Sequence, residues 1–364
     1  MSEGQILNEL QQQYPHLDKT VEKMKLYYTE KLWHQLTLCI LDLIRDEKVL
    51  QNHELLSNMY TNFIINFENK MDPIKLTKFI CVISEFKGTD DQKVEFMDSI
   101  IDKSVKDPQA VYILKLKKSE FLLKQQKYEE VDKQFKEIVV SLGKQANIDT
   151  HVHSALYRLG YLYHKQKQNF DQLYKYGLQY LAYTSENDIT HSQKFNLSME
   201  MALAIMISTQ IYNYSELLQQ PVLKSIKDSQ STSWIYELLD IFNKGDVEAS
   251  NKALQQYSSQ INSNELLQKN ANVLQEKIKI LAFIDLVFNQ PKNQRNINFQ
   301  TIANVCKISL NEVEYLLMRA MAKGLVRGRI DQVKYLNFFK FIQKYFNKIY
   351  KLIQYILGQK LSFH

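Results

Sequence analysis

The 364 residues are 45% hydrophobic with a formal charge of +6, an ordinary globular balance that excludes a disordered chain and allows a sizeable core. Glycine (9) and proline (5) lie far below average usage, so tight turns and sheets give way to helices. Six lysines in 334–364, a stretch without Asp, Glu or Arg, account for the whole charge excess: removing them from 46 basic residues leaves 40 against 40 acidic. A neutral body of this kind argues against a phosphate-binding surface.

The chain begins "MSEGQILNELQQQY", which lacks the basic start and apolar core of a secretory signal. The longest uncharged stretch of the body, Met201 to Ser215, is shorter than the ~18 residues that span a bilayer. Cys39, Cys81 and Cys306 are odd in number, far apart and set among apolar residues, unlike a disulfide framework or zinc site. A soluble protein of a reducing intracellular compartment is expected.

From about residue 18 to 290 apolar residues recur at spacings of three and four, the pattern of amphipathic helices. "VYILKLKKSEFLLKQQKYEEVDKQFKEIVVSL" reads as two helices broken at Gln125 to Lys127, with Tyr128 opening the second. "HSALYRLGYLYHKQKQNFDQLYKYGLQYLAYT" repeats the plan with Phe170 in the place of Tyr128, about 42 residues on, a period proper to stacked helix pairs. The fold class expected is all-α: a right-handed α-solenoid of helix pairs over 1–230, then a C-terminal part over 231–333. Tyr157, Tyr161, Tyr163, Tyr174, Tyr176 and Tyr180 read as packing between helices rather than a binding platform. "NKGD" marks a hairpin turn, and one long helix from about Asn264 to Phe288 ends before Pro291.

Beyond "PKNQRN" the texture changes. Ile297 to Phe299 suits a short strand. "QTIANVC" suits a short helix with Ile302, Ala303 and Val305 inward. Ser309 and Glu312 have capping-box spacing at the head of a second helix, whose stripe is Leu310, Val313, Leu316, Leu317, Ala320 and Met321. Gly324 sits where a left-handed C-cap belongs, and "LVRGRID" follows as a strand. Strand, helix, turn, helix, strand is the order of a winged helix over about 296–333. It makes a poor reader of DNA: the first turn of its second helix offers Asn311, Glu312 and Glu314, and only Arg319 and Lys323 are basic on that helix.

Helical repeats followed by a winged helix resemble the PCI-domain family. Within it, "VHSALYRLGYLYHKQKQNFDQLYKYGLQYL", "YNYSELLQQPVLKSI", "WIYELLDIFNKGDVE" and "FQTIANVCKISLNEVEYLLMRAMAKGLVRGRIDQV" look like the subunit-13 type of proteasome regulatory-lid subunit, in that order. The resemblance implies a non-catalytic scaffold of the regulatory particle, in cytoplasm and nucleus. Its partners would be other PCI lid subunits, deubiquitinase subunits and a neighbouring ubiquitin receptor, with no nucleic acid, membrane, cofactor or metal. It also places the protein interface on the winged-helix sheet edge: Leu325, Val326, Arg327, Gly328, Arg329 and Ile330, with Ile297 and Phe299 on a partner strand. A PCI subunit of the signalosome, of an initiation factor or of a nucleic-acid-associated export complex stays open as the alternative.

The family-like pattern ends near Val333. The Lys- and aromatic-rich run 334–364 is expected to be translated non-coding sequence that leaves the wing half complete; a genuine partner helix or a membrane-surface helix are its other readings. No glycine-rich phosphate loop, H-E-x-x-H or nucleophile elbow occurs, and the His151/His153 pair has i,i+2 spacing, which points two helical side chains to different faces. Cys306 is expected to be a small buried apolar residue.

Overall fold

The computed structural model describes residues 3–104, 107–185, 188–290, 296–331 and 336–341, and divides between Thr190 and His191 into two compact units. The architecture is a helical solenoid in the first unit and a helical layer with a winged helix in the second.

The first unit runs through α1 (Glu3–Gln13), α2 (Asp18–Thr29), α3 (Trp33–Leu43), α4 (His53–Asn62), α5 (Pro73–Ser84), α6 (Asp90–Ser104), α7 (Pro108–Lys124), α8 (Tyr128–Leu142), α9 (Thr150–Gln166) and α10 (Phe170–Tyr183). Side-chain caps set many of the starts. Asp72 accepts from the Ile74 N–H at 3.0 Å ahead of Pro73, and Asp107 from the Gln109 N–H at 2.9 Å ahead of Pro108. Asp149 and Asn169 cap α9 and α10 in the same way. Such caps satisfy amides that the helix itself leaves open, and proline at the first position forfeits no bond.

The helix pairs are closed by one repeated device. Lys31, Gln126 and Gln168 take φ of 58°, 62° and 52°, and the next residue's N–H reaches five back: Leu32 to the Tyr27 carbonyl, Lys127 to Leu122, Asn169 to His164. This is the Schellman closure, built here on left-handed residues that are not glycine. The break expected at Gln125 to Lys127 therefore has a specific geometry, and it recurs 42 residues later as the spacing implies. Helices pack on neighbours and across them: α7 on α5, α6, α8 and α9, and α9 on α10. Gly160 of α9 lets α10 approach so closely that a Cβ there would stand 2.4 Å from the Tyr176 ring. Tyr161, Tyr174 and Tyr180 are buried, while Tyr157 and Tyr176 meet at 6.2 Å between ring centres.

A buried ionic group ties three layers of this stack. The Glu120 carboxylate on α7, 7% exposed, accepts from Lys117 Nζ and from Arg158 Nε of α9, both at 2.8 Å, and Lys117 also reaches Glu85 beyond the end of α5 at 2.5 Å. Burial works against the Glu120 charge, but Arg158 and Lys117 outweigh it and hold the carboxyl at about 2.

The second unit opens with α11 (His191–Ile207), whose last turns from Met201 to Ile207 are buried all round. A helix apolar on every face belongs inside a core, which explains the uncharged stretch seen in the sequence. On it pack α12 (Ser233–Lys244) and α14 (Ala271–Asn289), and α13 (Val247–Gln256) packs on those two. The single helix expected from Asn264 is instead two: Asn264 caps the short helix Glu265–Lys269, and the chain breaks at Asn270 before α14. Asparagine propagates a helix poorly, so both positions favour a break, and the Asn264 side chain also caps the short helix. Lys277 of α14 is buried, and its ammonium donates to the carbonyls of Ile205 and of Ser208 (2.8 Å) at the end of α11.

The winged helix follows as β1 (Asn296–Asn298), α15 (Phe299–Cys306), α16 (Leu310–Ala322), β2 (Val326–Asp331) and β3 (Leu336–Phe341). The sheet order is β1-β3-β2, antiparallel throughout, with Ile297 opposite Asn337 and Arg329 opposite Phe338. Two expectations are corrected here. The wing is not half complete, because β3 lies beyond Val333 and sits at the centre of the sheet. Phe299 is not on a strand: Asn298 accepts from the Thr301 N–H at 2.7 Å, and Phe299 opens α15. Apart from 336–341, the run 334–364, expected to be non-coding or a partner or membrane-surface helix, lies outside the described residues.

Candidate protein-interaction surface of the winged helix

The second helix of the module is fixed at both ends. The N–H and the hydroxyl of Ser309 each donate to a Glu312 carboxylate oxygen at 2.9 Å, and these bonds hold that carboxyl below its usual range. At the far end Gly324 takes φ 70°, while the Gly324 and Leu325 N–H groups return to the Met321 and Ala320 carbonyls at 2.9 and 3.0 Å. The closure turns the chain from α16 straight into β2, so the strand's position follows from the helix's. Val313, Leu316, Leu317 and Ala320 face the core as the stripe requires, together with Ile302, Ala303 and Cys306 of α15. Burial pushes the Cys306 thiol up to about 12, which leaves it inert near neutral pH. Leu310 and Val305, expected inward, are exposed at 47% and 38%.

The charged residues sort into two groups. Lys307, between α15 and α16, pairs with Glu248 of α13 at 2.8 Å. Arg319 pairs with Glu276 of α14, and its guanidinium lies over the Tyr315 ring at 4.7 Å. Lys323 donates to the Thr209 carbonyl at 2.7 Å. Three basic residues of the module thus face its own helical layer. No local pattern signals the direction of Arg319 and Lys323, since their partners lie 43 and 114 residues away in the chain.

Arg327 and Arg329 form the second group. Along β2, Val326 is buried, Arg327 and Arg329 are exposed, and Gly328 and Ile330 are partly covered, the alternation of a strand with one face on a core. Neither arginine meets a carboxylate among the described residues. Because β3 lies on one side of β2, the other side of β2 is an open edge among the described residues, presenting unpaired backbone groups. The structure therefore puts Val326 to Ile330 on one edge, while Leu325 is buried and belongs to the helix closure before the strand. Ile297 and Phe299 are not with them: both are buried, and β1 lies across β3 on the opposite edge. The outer face of α16 adds exposed Tyr315 (56%) and Met318 (50%).

No group of three or more His, Cys, Asp or Glu side chains suited to a metal ion occurs among the described residues, and no helix there is long and apolar enough to cross a membrane. His153 stacks on Tyr157 and packs against Tyr183.

Comparison with known proteins adds a second, independent line. The family model for PSD13 N-terminal repeats matches residues 20–239, and that for the PCI domain matches residues 254–340, a span that takes in nearly all of β3. The chain is 33% identical to 26S proteasome non-ATPase regulatory subunit 13 homolog A of Arabidopsis thaliana over 92% of its length and 87% of that protein. It is 32% identical to the 26S proteasome non-ATPase regulatory subunit 13 of Dictyostelium discoideum (90% and 85%), and 26% identical to the 26S proteasome regulatory subunit RPN9 of Saccharomyces cerevisiae (90% and 85%).

Proposed function

The chain belongs to the family of 26S proteasome non-ATPase regulatory subunit 13, and from that premise we propose that it is a non-catalytic scaffold subunit of the proteasome regulatory-particle lid, serving ubiquitin-dependent protein degradation in cytoplasm and nucleus. The observation that supports this most is the open β2 edge, carried by a winged helix whose other basic residues are bonded to its own helical layer. Edge strands recruit strands from other chains, so the module is suited to joining neighbours of similar build. The partners proposed are other PCI subunits of the lid, with deubiquitinase subunits and a ubiquitin receptor nearby. A nucleic-acid role is not favoured, since Glu312 and Glu314 stand at the head of α16 and Arg319 and Lys323 are engaged elsewhere.

The test is native affinity capture of the full chain through a tag near residue 4, with subunits counted by mass spectrometry. Lid and ATPase-ring subunits in equal stoichiometry are expected. Recovery of RNA-bound proteins without proteasome subunits overturns the proposal.

A further inference from the structure

We infer that the β2 edge selects an acidic strand: a segment of a neighbouring subunit that carries Asp or Glu at alternate positions, aligned with Arg327 and Arg329. This deepens the edge-pairing reading above and rests on it.

The inference comes from the disposition of charge. Residues 296–331 contain five basic side chains. Lys307, Arg319 and Lys323 are bound within the unit, and only Arg327 and Arg329 project from the sheet without a carboxylate among the described residues. They flank Gly328 at i and i+2, so they share one face of the strand, about 7 Å apart along it. A strand added alongside runs roughly 5 Å away, and its own i and i+2 side chains repeat at the same interval. Carboxylates at that interval on the same face can each meet one guanidinium fork, a planar match that arginine makes two bonds at a time. The middle of the edge is thus basic, which attracts an acidic strand and discourages pairing with a second copy of itself.

The test uses the full chain with purified, recombinant lid subunits of the same species. Two variants are compared with wild type: Arg327→Glu/Arg329→Glu and Arg327→Gln/Arg329→Gln, with unchanged thermal melts confirming their folding. Association is measured from 50 to 500 mM salt, and hydrogen exchange of the 326–331 amides is followed on assembly. The expected result is protection of those amides in the wild type, about ten-fold weaker association on charge reversal at 150 mM salt, and a flatter salt dependence for the glutamine pair. Protected amides with equal affinity in all three proteins overturn the acidic-strand inference and leave edge pairing standing; the arginines then only deter aggregation. Unprotected amides in an assembled lid overturn edge pairing itself.

Discussion

Replacing Glu120 by glutamine keeps the side chain's shape and removes the charge at the centre of the buried ionic group. Two charge-assisted bonds at 2.8 Å end on this carboxylate, from Lys117 and from Arg158. Bonds of that kind contribute about 1.5–3 kcal/mol each, while a glutamine oxygen recovers part and Lys117 retains Glu85 at 2.5 Å. The net loss is therefore about 3 kcal/mol, in the range for breaking a buried pair from one side. A carboxyl held at about 2 instead of the ordinary 4.5 corresponds to a similar ~3 kcal/mol. The folded state binds this proton less readily than the unfolded chain does. Its contribution is therefore complete above pH 4.5 and drains away as pH falls towards 2, with about half gone by pH 3. Native-state hydrogen exchange of α7 and α9 amides in urea, on wild type and Glu120→Gln across pH 3 to 7, reads the difference locally. A gap below about 1 kcal/mol at pH 7, or one unchanged between pH 6 and pH 3, refutes the reasoning.

Gly160→Ala sets a methyl group against the Tyr176 ring, and overpacking exceeds the gain in helix propensity, so a loss of about 1–2 kcal/mol in urea unfolding is expected. Gln168→Gly should do the reverse, raising the urea midpoint by about 0.5–1 kcal/mol of stability, because φ 52° strains a side chain and not glycine. The same change at Gln172, inside α10, should lower it. Lys277→Met removes the donor that serves the Ile205 and Ser208 carbonyls, costing about 2 kcal/mol and faster exchange at the end of α11.

Much of the fold was legible because it rests on local chemistry. The break before Tyr128, its repeat before Phe170, the Ser309–Glu312 pairing and the Gly324 closure all follow from residues within a few positions of each other. Matters set by distant residues were not. β3 draws on "LNFFKF" inside a run of unusual composition, and only its pairing with both β1 and β2 makes it a strand. Without it, Ile297 and Leu325 to Ile330 looked like neighbours, whereas the inserted strand parts them. Phe299 carried a readable signal in the preceding Asn298 cap, overlooked because "INF" also suits a strand. The inward turn of Lys307, Arg319 and Lys323 depends on Glu248, Glu276 and Thr209, which no local pattern connects to them.

The most direct test of the account is an electron cryo-microscopy map of the assembled regulatory particle purified through this chain. The account predicts a neighbouring subunit's strand hydrogen-bonded along 326–331, with carboxylates beside Arg327 and Arg329. A map in which that edge faces solvent, while Tyr315 and Met318 carry the contact instead, contradicts it.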